Sequence, residues 1–309
     1  MKKIQNIVLG FLMLSSLIAS AQQDAMFSQY MFNPIAVNPA YVGSNEALTF
    51  TGLFRSQWVG IKGAPNTGTF SIDAPFRGEK MGVGLNLVAD RIGIISTIGA
   101  FGSYAYRIKT SEKGRLALGL QVGFSQYTAD LQGVNLGDPN DPAFSNNINH
   151  LQPNVGVGTW YNTDRLFVGV SIPHLINNSL TDEYQFLNDT NGARQYRHYF
   201  ITAGYAFDLK EDLVLKPSVL FKGVGGAPLQ VDLNATLWYL DRFGVGASWR
   251  SFSSANILVG YKINEQLSAG YAYDFSTTDL QKYNSGSHEL MLRYQLKSDK
   301  TKIITPRFF

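Results

Sequence analysis

The chain has 309 residues, no cysteine, and 26 basic against 23 acidic residues. Without thiols it can build no disulfide framework, zinc–thiolate site or iron–sulfur cluster, and it lacks the clustered basic excess of a domain that tracks nucleic acid. Aromatics at 13% with 30 glycines suit a membrane barrel, where rings gather at the interfaces and glycines relieve crowding within strands.

Residues 1–21 begin with Lys2 and Lys3, continue through an apolar run from Ile7 to Ile18, and close on Ala19-Ser20-Ala21. This order predicts a signal peptide cleaved to leave Gln22 at the mature N-terminus, with 24 basic against 23 acidic residues remaining. The apolar run is shorter than the ~20 residues a membrane-spanning helix needs. No Cys follows it to carry a lipid, and no later stretch reaches ~18 consecutive apolar residues, so helical spans are not expected.

Residues 22–43 are too irregular for a strand and contain two Asn-Pro steps, Asn33-Pro34 and Asn38-Pro39. Each proline biases the residue before it toward extended geometry, which predicts an extended, turning path rather than a helix. This segment is the natural candidate to occupy the lumen of a barrel, or else to lie in the periplasm.

From about Ala47 to Leu296 apolar residues alternate with small or polar ones, and turns recur every ten or so residues. In the run from Leu229 to Tyr239, Leu233, Ala235 and Leu237 fall on one side, with Asp232, Asn234 and Thr236 on the other. The alternation predicts strands near 47–60, 66–76, 80–90, 95–108, 115–130, 152–162, 165–175, 197–208, 213–223, 228–240, 242–252, 255–263, 266–277 and 287–297. Behind a secretion signal, this pattern is that of an all-β, antiparallel transmembrane β-barrel of about 14 strands over residues 44–297, destined for the outer membrane. Its interior would be wider than that of a side-chain-filled eight-stranded barrel and narrower than that of an open porin. A periplasmic sandwich is the alternative fold.

The links alternate in character. Alternate connections are short and charged, as in Asn162-Thr-Asp-Arg165 and Asp241-Arg242, and the others include the long segments 131–151, 176–197 and 277–287. Short periplasmic turns and long outer loops are the usual asymmetry, and an even strand count places both termini in the periplasm. Rings such as Phe76, Tyr106, Tyr161, Phe207, Tyr239, Phe243 and Tyr261 flank the short turns, where an aromatic girdle belongs. Charge supplies a second test, because a basic residue facing lipid at mid-bilayer costs about 2–4 kcal/mol. Arg55, Asp73, Asp90, Lys216, Lys222, Asp232, Arg250, Lys262, Asp274, Glu289 and Arg293 all share the polar parity of their strands. Residues 95–108 are ambiguous, being partly apolar on both faces. The tail 298–309 follows the last strand, and its terminal Phe308-Phe309 argues against a free end.

Chemistry-bearing residues are few. Of the four histidines, His150, His174 and His198 border the long loops and read as solvated residues without metal-ligand spacing. His288 lies between Ser287 and Glu289, but strand neighbours point to opposite faces, so the three cannot converge as a catalytic set. There is no G-x-S-x-G motif. Asp138-Pro-Asn-Asp-Pro142 lacks the calcium-loop pattern and reads as an Asx-type turn. No enzyme, cofactor or metal site is expected. Arg55 and Gln57 are expected to face the lumen; Arg55 is there either to pair with Asp73, Asp232 or Glu289, or to clasp carbonyls of the Asn-Pro segment with its five donors. Trp58 is expected on the outward face as an interfacial anchor.

The run from Gln23 to Gly43 contains Ser28-Gln29-Tyr30-Met31-Phe32-Asn33-Pro34 and Asn38-Pro39-Ala40-Tyr41-Val42-Gly43. It strongly resembles the start of mature PorP/SprF-family proteins, the outer-membrane barrels of type IX secretion and gliding motility in Bacteroidetes. Arg55-Ser-Gln57-Trp58-Val-Gly60, Ser285-Gly-Ser-His-Glu289 and the terminal Thr305-Pro-Arg307-Phe308-Phe309 extend the resemblance. It implies a non-enzymatic component that meets outer-membrane lipid, other parts of the type IX apparatus, and an exported surface protein, such as a large adhesin, bearing its own C-terminal sorting domain. Gln29, Tyr30, Asn33, Pro34, Asn38, Pro39, Tyr41, Arg55, Gln57, Arg307 and Phe309 are the candidate plug or partner-binding residues. A diffusion channel for small or apolar solutes is the alternative function, separated from the first by whether the lumen is open.

Overall fold

The computed structural model describes residues 26–76, 80–134, 141, 144–179 and 195–296. The signal segment 1–21, most of the Asp138–Pro142 link, and the tail with Arg307 and Phe309 lie outside the described residues. The strands are β1 (Leu48–Ser56), β2 (Asn66–Phe76), β3 (Met81–Ile92), β4 (Ile95–Lys109), β5 (Arg115–Ala129), β6 (Ile148–Asn162) and β7 (Leu166–Ile172). β8 comprises His198–Tyr205 and Phe207–Lys210, which pair with the same neighbour on either side of Ala206. Then follow β9 (Leu213–Val224), β10 (Gln230–Tyr239), β11 (Phe243–Arg250), β12 (Ser254–Lys262), β13 (Leu267–Ser276) and β14 (Ser287–Leu296).

Each strand pairs antiparallel with its neighbours in sequence, and β14 returns to pair with β1, from Leu48 opposite Leu296 to Ser56 opposite His288. The sheet is therefore a closed cylinder of fourteen strands. Closure leaves no free edge, which is the condition for a sheet to sit in hydrocarbon. The links from β2 to β3, β4 to β5, and so on to β12–β13 are at most five residues long, and all lie at one end; the long links lie at the other. At the β10–β11 turn Leu240 and Asp241 both have positive φ, and Arg242 N–H bonds back to the Tyr239 carbonyl. Positive φ at both central residues gives the turn a twist that matches that of the flanking strands.

The two faces separate as the alternation predicts. Along β5, Leu118, Leu120, Val122 and Phe124 are exposed at 49–65%, while Ala117, Gln121 and Ser125 are buried. β4 resolves in the same way, with Ile98, Tyr104 and Tyr106 outward and Phe101, Ser103 and Arg107 inward. Phe76, Tyr106, Phe207, Tyr239 and Phe243 are outward and exposed near the short turns, and the Phe243 and Tyr261 rings lie 4.9 Å apart. Trp58 departs from expectation. β1 ends at Ser56, and Trp58 sits half-buried in the following link with φ +49°, its N–H bonded to Ser287 Oγ at 3.2 Å. β1 therefore stops two residues short of Trp58, and the link turns through the positive φ of Trp58, Gly60 and Gly63.

The principal apolar core is inside the cylinder. Ile35, Ala40, Tyr41 and Val42 from the N-terminal segment pack on Ala105, Ala117, Trp160 and Phe167 of the wall. Burying a side chain of the size of Ile35 or Val42 contributes about 1.5–3 kcal/mol. The outward row tests the membrane assignment. Leu120→Arg should destabilise the barrel by about 2–4 kcal/mol, read as a lowered urea midpoint in lipid vesicles, whereas Leu120→Phe should leave it nearly unchanged.

Candidate functional site in the barrel lumen

The N-terminal segment runs the length of the lumen, from Met26 at the long-loop end to Glu46 at the short-turn end, before entering β1. Its local structure follows from its prolines. Asn33 (φ −133°, ψ 62°) and Asn38 (φ −144°, ψ 110°) stand outside the helical region, as residues before proline should. The path differs from the extended one expected, because Pro34 and Pro39 each begin a short 3-10 turn, Pro34–Ala36 and Pro39–Tyr41, after a first turn at Tyr30–Phe32. Proline's fixed φ and missing N–H suit a first helical position. Asn38 Oδ1 accepts the Ala40 N–H at 2.9 Å, capping the last turn.

Two sets of contacts hold the segment. At the long-loop end five wall charges converge on residues 26–29. Arg55 pairs with Asp274 at 2.6 Å and donates to the Met26 carbonyl. Arg250 pairs with Asp232 at 2.7 Å and donates to the Phe27 carbonyl at 3.1 Å. Glu289 accepts the backbone N–H groups of Ser28 and Gln29, each at 2.8 Å. Ser28 Oγ donates to Asp274 at 2.8 Å. Both guanidiniums, all three carboxylates and Ser28 are buried. The backbone polar groups of this stretch thus have ionic partners in place of water, which is what burial of irregular chain demands.

The second set lies further along the lumen. Asn33 accepts from Ser71 Oγ at 2.7 Å and donates to Thr69 Oγ1 at 3.3 Å. Asn38 Nδ2 donates to the Thr159 carbonyl at 2.9 Å, and Ser171 Oγ to the Val37 carbonyl at 2.6 Å. Asp73 accepts the Gly43 N–H at 2.9 Å. Tyr41 packs edge-on to Trp160 at 5.2 Å, donates to Asn45 Oδ1 at 2.9 Å and accepts from Arg293 at 3.3 Å. Arg115 pairs with Glu46 where the segment leaves the lumen. Tyr30 OH meets Ser218 Oγ at 3.4 Å.

The wall is shaped for this approach. A Cβ on Gly82 would lie 1.9 Å from the Val42 carbonyl oxygen, and one on Gly119 would lie 2.3 Å from Ala40 Cα. Only glycine admits backbone so close. Cavities remain on each side of the segment, one of about 890 Å³ toward the short turns, lined by Lys216, Trp238, Lys262 and Arg293 among others, and one of about 420 Å³ toward the long loops, lined by Phe27, Phe101, Tyr127 and Phe200 among others.

Of the residues singled out in the sequence, the structure brings Gln29, Tyr30, Asn33, Pro34, Asn38, Pro39, Tyr41 and Arg55 into the lumen. Gln57 stands apart: it lies beyond the end of β1, half-buried, with its N–H on the Pro65 carbonyl. Arg55 takes Asp274 as its acid, while Asp73 and Asp232 serve Gly43 and Arg250. Glu289, directly across the ladder from Arg55, gives its oxygens to the segment. The convergence of Asp232, Arg250, Asp274 and Glu289 was not anticipated from the sequence, although all lie within three residues of the long-loop ends of their strands. His198, expected to be solvated, is 1% exposed and bonded to the Tyr196 carbonyl at 3.0 Å, because it opens β8 on the inward parity. His174 stacks on Phe101 at 5.1 Å, and His288 meets Tyr271 OH at 2.6 Å. Among the described residues no group of three or more His, Asp or Glu is arranged to hold a metal.

A closed fourteen-stranded cylinder with an apolar belt and a charged, chain-filled lumen defines an outer-membrane β-barrel. The chain belongs to the PorP/SprF family, described as type IX secretion system membrane proteins, which it matches over residues 19–294. No curated protein matches it. Among solved structures it is similar in fold to the Ralstonia pickettii toluene transporter TbuX, at 10% identity and TM-score 0.50, covering 85% of this chain and 92% of that one. A Pseudomonas aeruginosa FadL homologue matches at 14% identity and TM-score 0.49, covering 84% and 93%. The Acinetobacter baumannii protein Omp33 matches at 10% and 0.48, covering 81% and 99%.

The buried cluster makes its own prediction. Removing one partner of a buried ion pair typically costs about 3–5 kcal/mol, whereas replacing both by apolar residues is often neutral. Asp274→Ala should therefore lower the urea midpoint sharply, and the double variant Arg55→Met/Asp274→Leu should recover much of the loss.

Proposed function

We propose that this barrel is a plugged, non-enzymatic scaffold of the type IX apparatus, which supports export or surface anchoring of a partner protein such as a large adhesin with its own C-terminal sorting domain. On this reading the short turns and the chain leaving β14 face the periplasm, the long loops face the cell surface, and residues 1–21 are removed on export; Met26, held by Arg55 at the long-loop end of the lumen, departs from the expectation that both termini lie in the periplasm. Family membership supplies the secretion context. The observation that carries the scaffold reading is the lumen segment itself: it is bonded to the wall near both ends of the cylinder and packed on Trp160 between them. An open diffusion channel keeps its path clear, whereas here a series of polar contacts and a buried aromatic cluster cross it.

The long links 130–147 and 173–197 are the surfaces offered to the partner, being the parts of the chain that the barrel's closure does not use. Two measurements test the reading. In planar bilayers the intact protein should be silent, and a variant lacking residues 26–43 should conduct; large steady conductance of the intact protein would favour the diffusion channel instead. In cells, replacing either long link by a short Gly-Ser connection should abolish surface retention of the partner while the barrel still assembles. Unchanged retention after both replacements would remove the role assigned to the loops.

A further inference from the structure

On its short-turn side the lumen segment leaves a vestibule of about 890 Å³, within the ~300–1,000 Å³ range of ligand sites. Met31 and Phe32 of the segment line its inner end. The β10–β11 and β12–β13 turns, with Asp241, Arg242, Asn264 and Glu265, border its mouth. A molecule entering from the short-turn end therefore meets the segment before it meets a path through the barrel.

Behind that mouth the wall is basic. Lys216 of β9, Lys262 of β12 and Arg293 of β14 all line the vestibule, and the Trp238 indole organises two of them. The indole lies against the wall, where a Cβ on Gly244 would come within 2.8 Å of it and one on Gly260 within 3.1 Å. These two glycines let the ring reach from its own strand, β10, across β11 to β12. Lys216 Nζ stands 5.0 Å and Lys262 Nζ 5.7 Å from the ring centroid, within the ~6 Å range of cation–π attraction. Phe32 of the segment meets the same ring edge-on at 6.4 Å. Arg293 donates to a neutral acceptor, Tyr41 OH, at 3.3 Å, while Asp73, within its electrostatic reach, accepts the Gly43 N–H.

The acids of the vestibule are paired or at its rim. Glu46 pairs with Arg115. Asp241 pairs with Lys262 through side chains 55% and 38% exposed, and Glu265 is exposed on the β12–β13 turn. An exposed ion pair contributes little, so Lys262 can exchange Asp241 for another carboxylate. Cations gathered in a cleft with low-dielectric walls repel one another and concentrate counter-charge between them.

We propose that this vestibule binds an acidic peptide segment of a partner protein, whose carboxylates are taken by Lys216, Lys262 and Arg293. A lone inorganic anion would leave most of the volume unfilled; a short peptide with two acidic residues both fills it and balances its charge. That the partner is periplasmic rests on the orientation proposed above; the charge of the site does not.

The test uses the full-length protein in lipid nanodiscs and calorimetric titration at low ionic strength. Acetyl-Gly-Glu-Glu-Gly-amide should bind saturably, and its Gln-Gln counterpart about tenfold more weakly. Inorganic phosphate should also bind more weakly than the Glu-Glu peptide. Lys216→Met/Lys262→Met, which removes two charges and keeps most of each side chain, should weaken the Glu-Glu peptide about tenfold without lowering the urea midpoint. Lys109→Met/Lys113→Met, at the exposed β4–β5 turn of the same end, should leave the affinity unaltered. Absence of saturable binding, equal binding of the Gln-Gln peptide, or unaltered affinity in the Lys216/Lys262 variant would overturn the site. Equal weakening by the Lys109/Lys113 variant would do the same, by showing diffuse attraction. Phosphate bound as tightly as the peptide would overturn the peptide source and leave a free oxyanion as the ligand. Gln295, one residue before the end of β14, lines the vestibule, so tighter binding after truncation beyond Leu296 would overturn the partner in favour of the chain's own tail. Binding in nanodiscs depends neither on which side of the membrane the short turns face nor on partner retention in cells, so failure of the scaffold and failure of the site are separable.

Discussion

In hydrocarbon a backbone N–H or C=O without a protein partner costs several kcal/mol, so a sheet in a membrane must close on itself. The pairing of β14 with β1 meets that demand, and much else follows from it. Because the ring is complete, every side chain points either to lipid or to one shared interior, and alternation becomes a segregation of apolar from charged residues. The charges carried by Arg55, Asp232, Arg250, Asp274 and Glu289 can face only inward, and there they meet one another and the N-terminal segment.

That segment takes the place that water holds in an open barrel. Water would hydrate the wall's guanidiniums and carboxylates; here two carbonyls, two backbone N–H groups and a serine hydroxyl take over part of that role. Neither side is satisfied alone. The segment is too irregular to pair its own backbone, and the wall's buried charges need more than each other. The ionic contacts contribute little net stability compared with apolar burial around Tyr41 and Trp160, but they fix where the chain lies. Charge sets position, and packing supplies most of the free energy.

The barrel was largely legible in the sequence because alternation and turn chemistry are local signals. Fourteen strands, their order, the short-turn end and the inward parity of the charges could all be read from it. Misreadings arose where local signals compete. β6 begins at Ile148 rather than near residue 152, since Asn149 and His150 look like loop. β7 ends at Ile172, short of the predicted 175, where Pro173 stops the ladder. Asn33-Pro34 and Asn38-Pro39 announced breaks correctly, but their role as starts of 3-10 turns depends on the wall packed around them. The lumen cluster was visible only as parity. Which acid meets Arg55 depends on the stagger of β13, β14 and β1, and no single strand encodes that.

The direction of the lumen segment has a consequence for assembly. Met26 lies at the far end of the cylinder from the start of β1, so the chain doubles back within the space its own strands will enclose. Glu289, which grips Ser28 and Gln29, belongs to the final strand, the last to be synthesised. The first residues of the described chain therefore lack their full anchorage until the last strand arrives. The seam that closes the ring, where Glu289 of β14 stands opposite Arg55 of β1, is thus also where the interior chain is gripped from both sides.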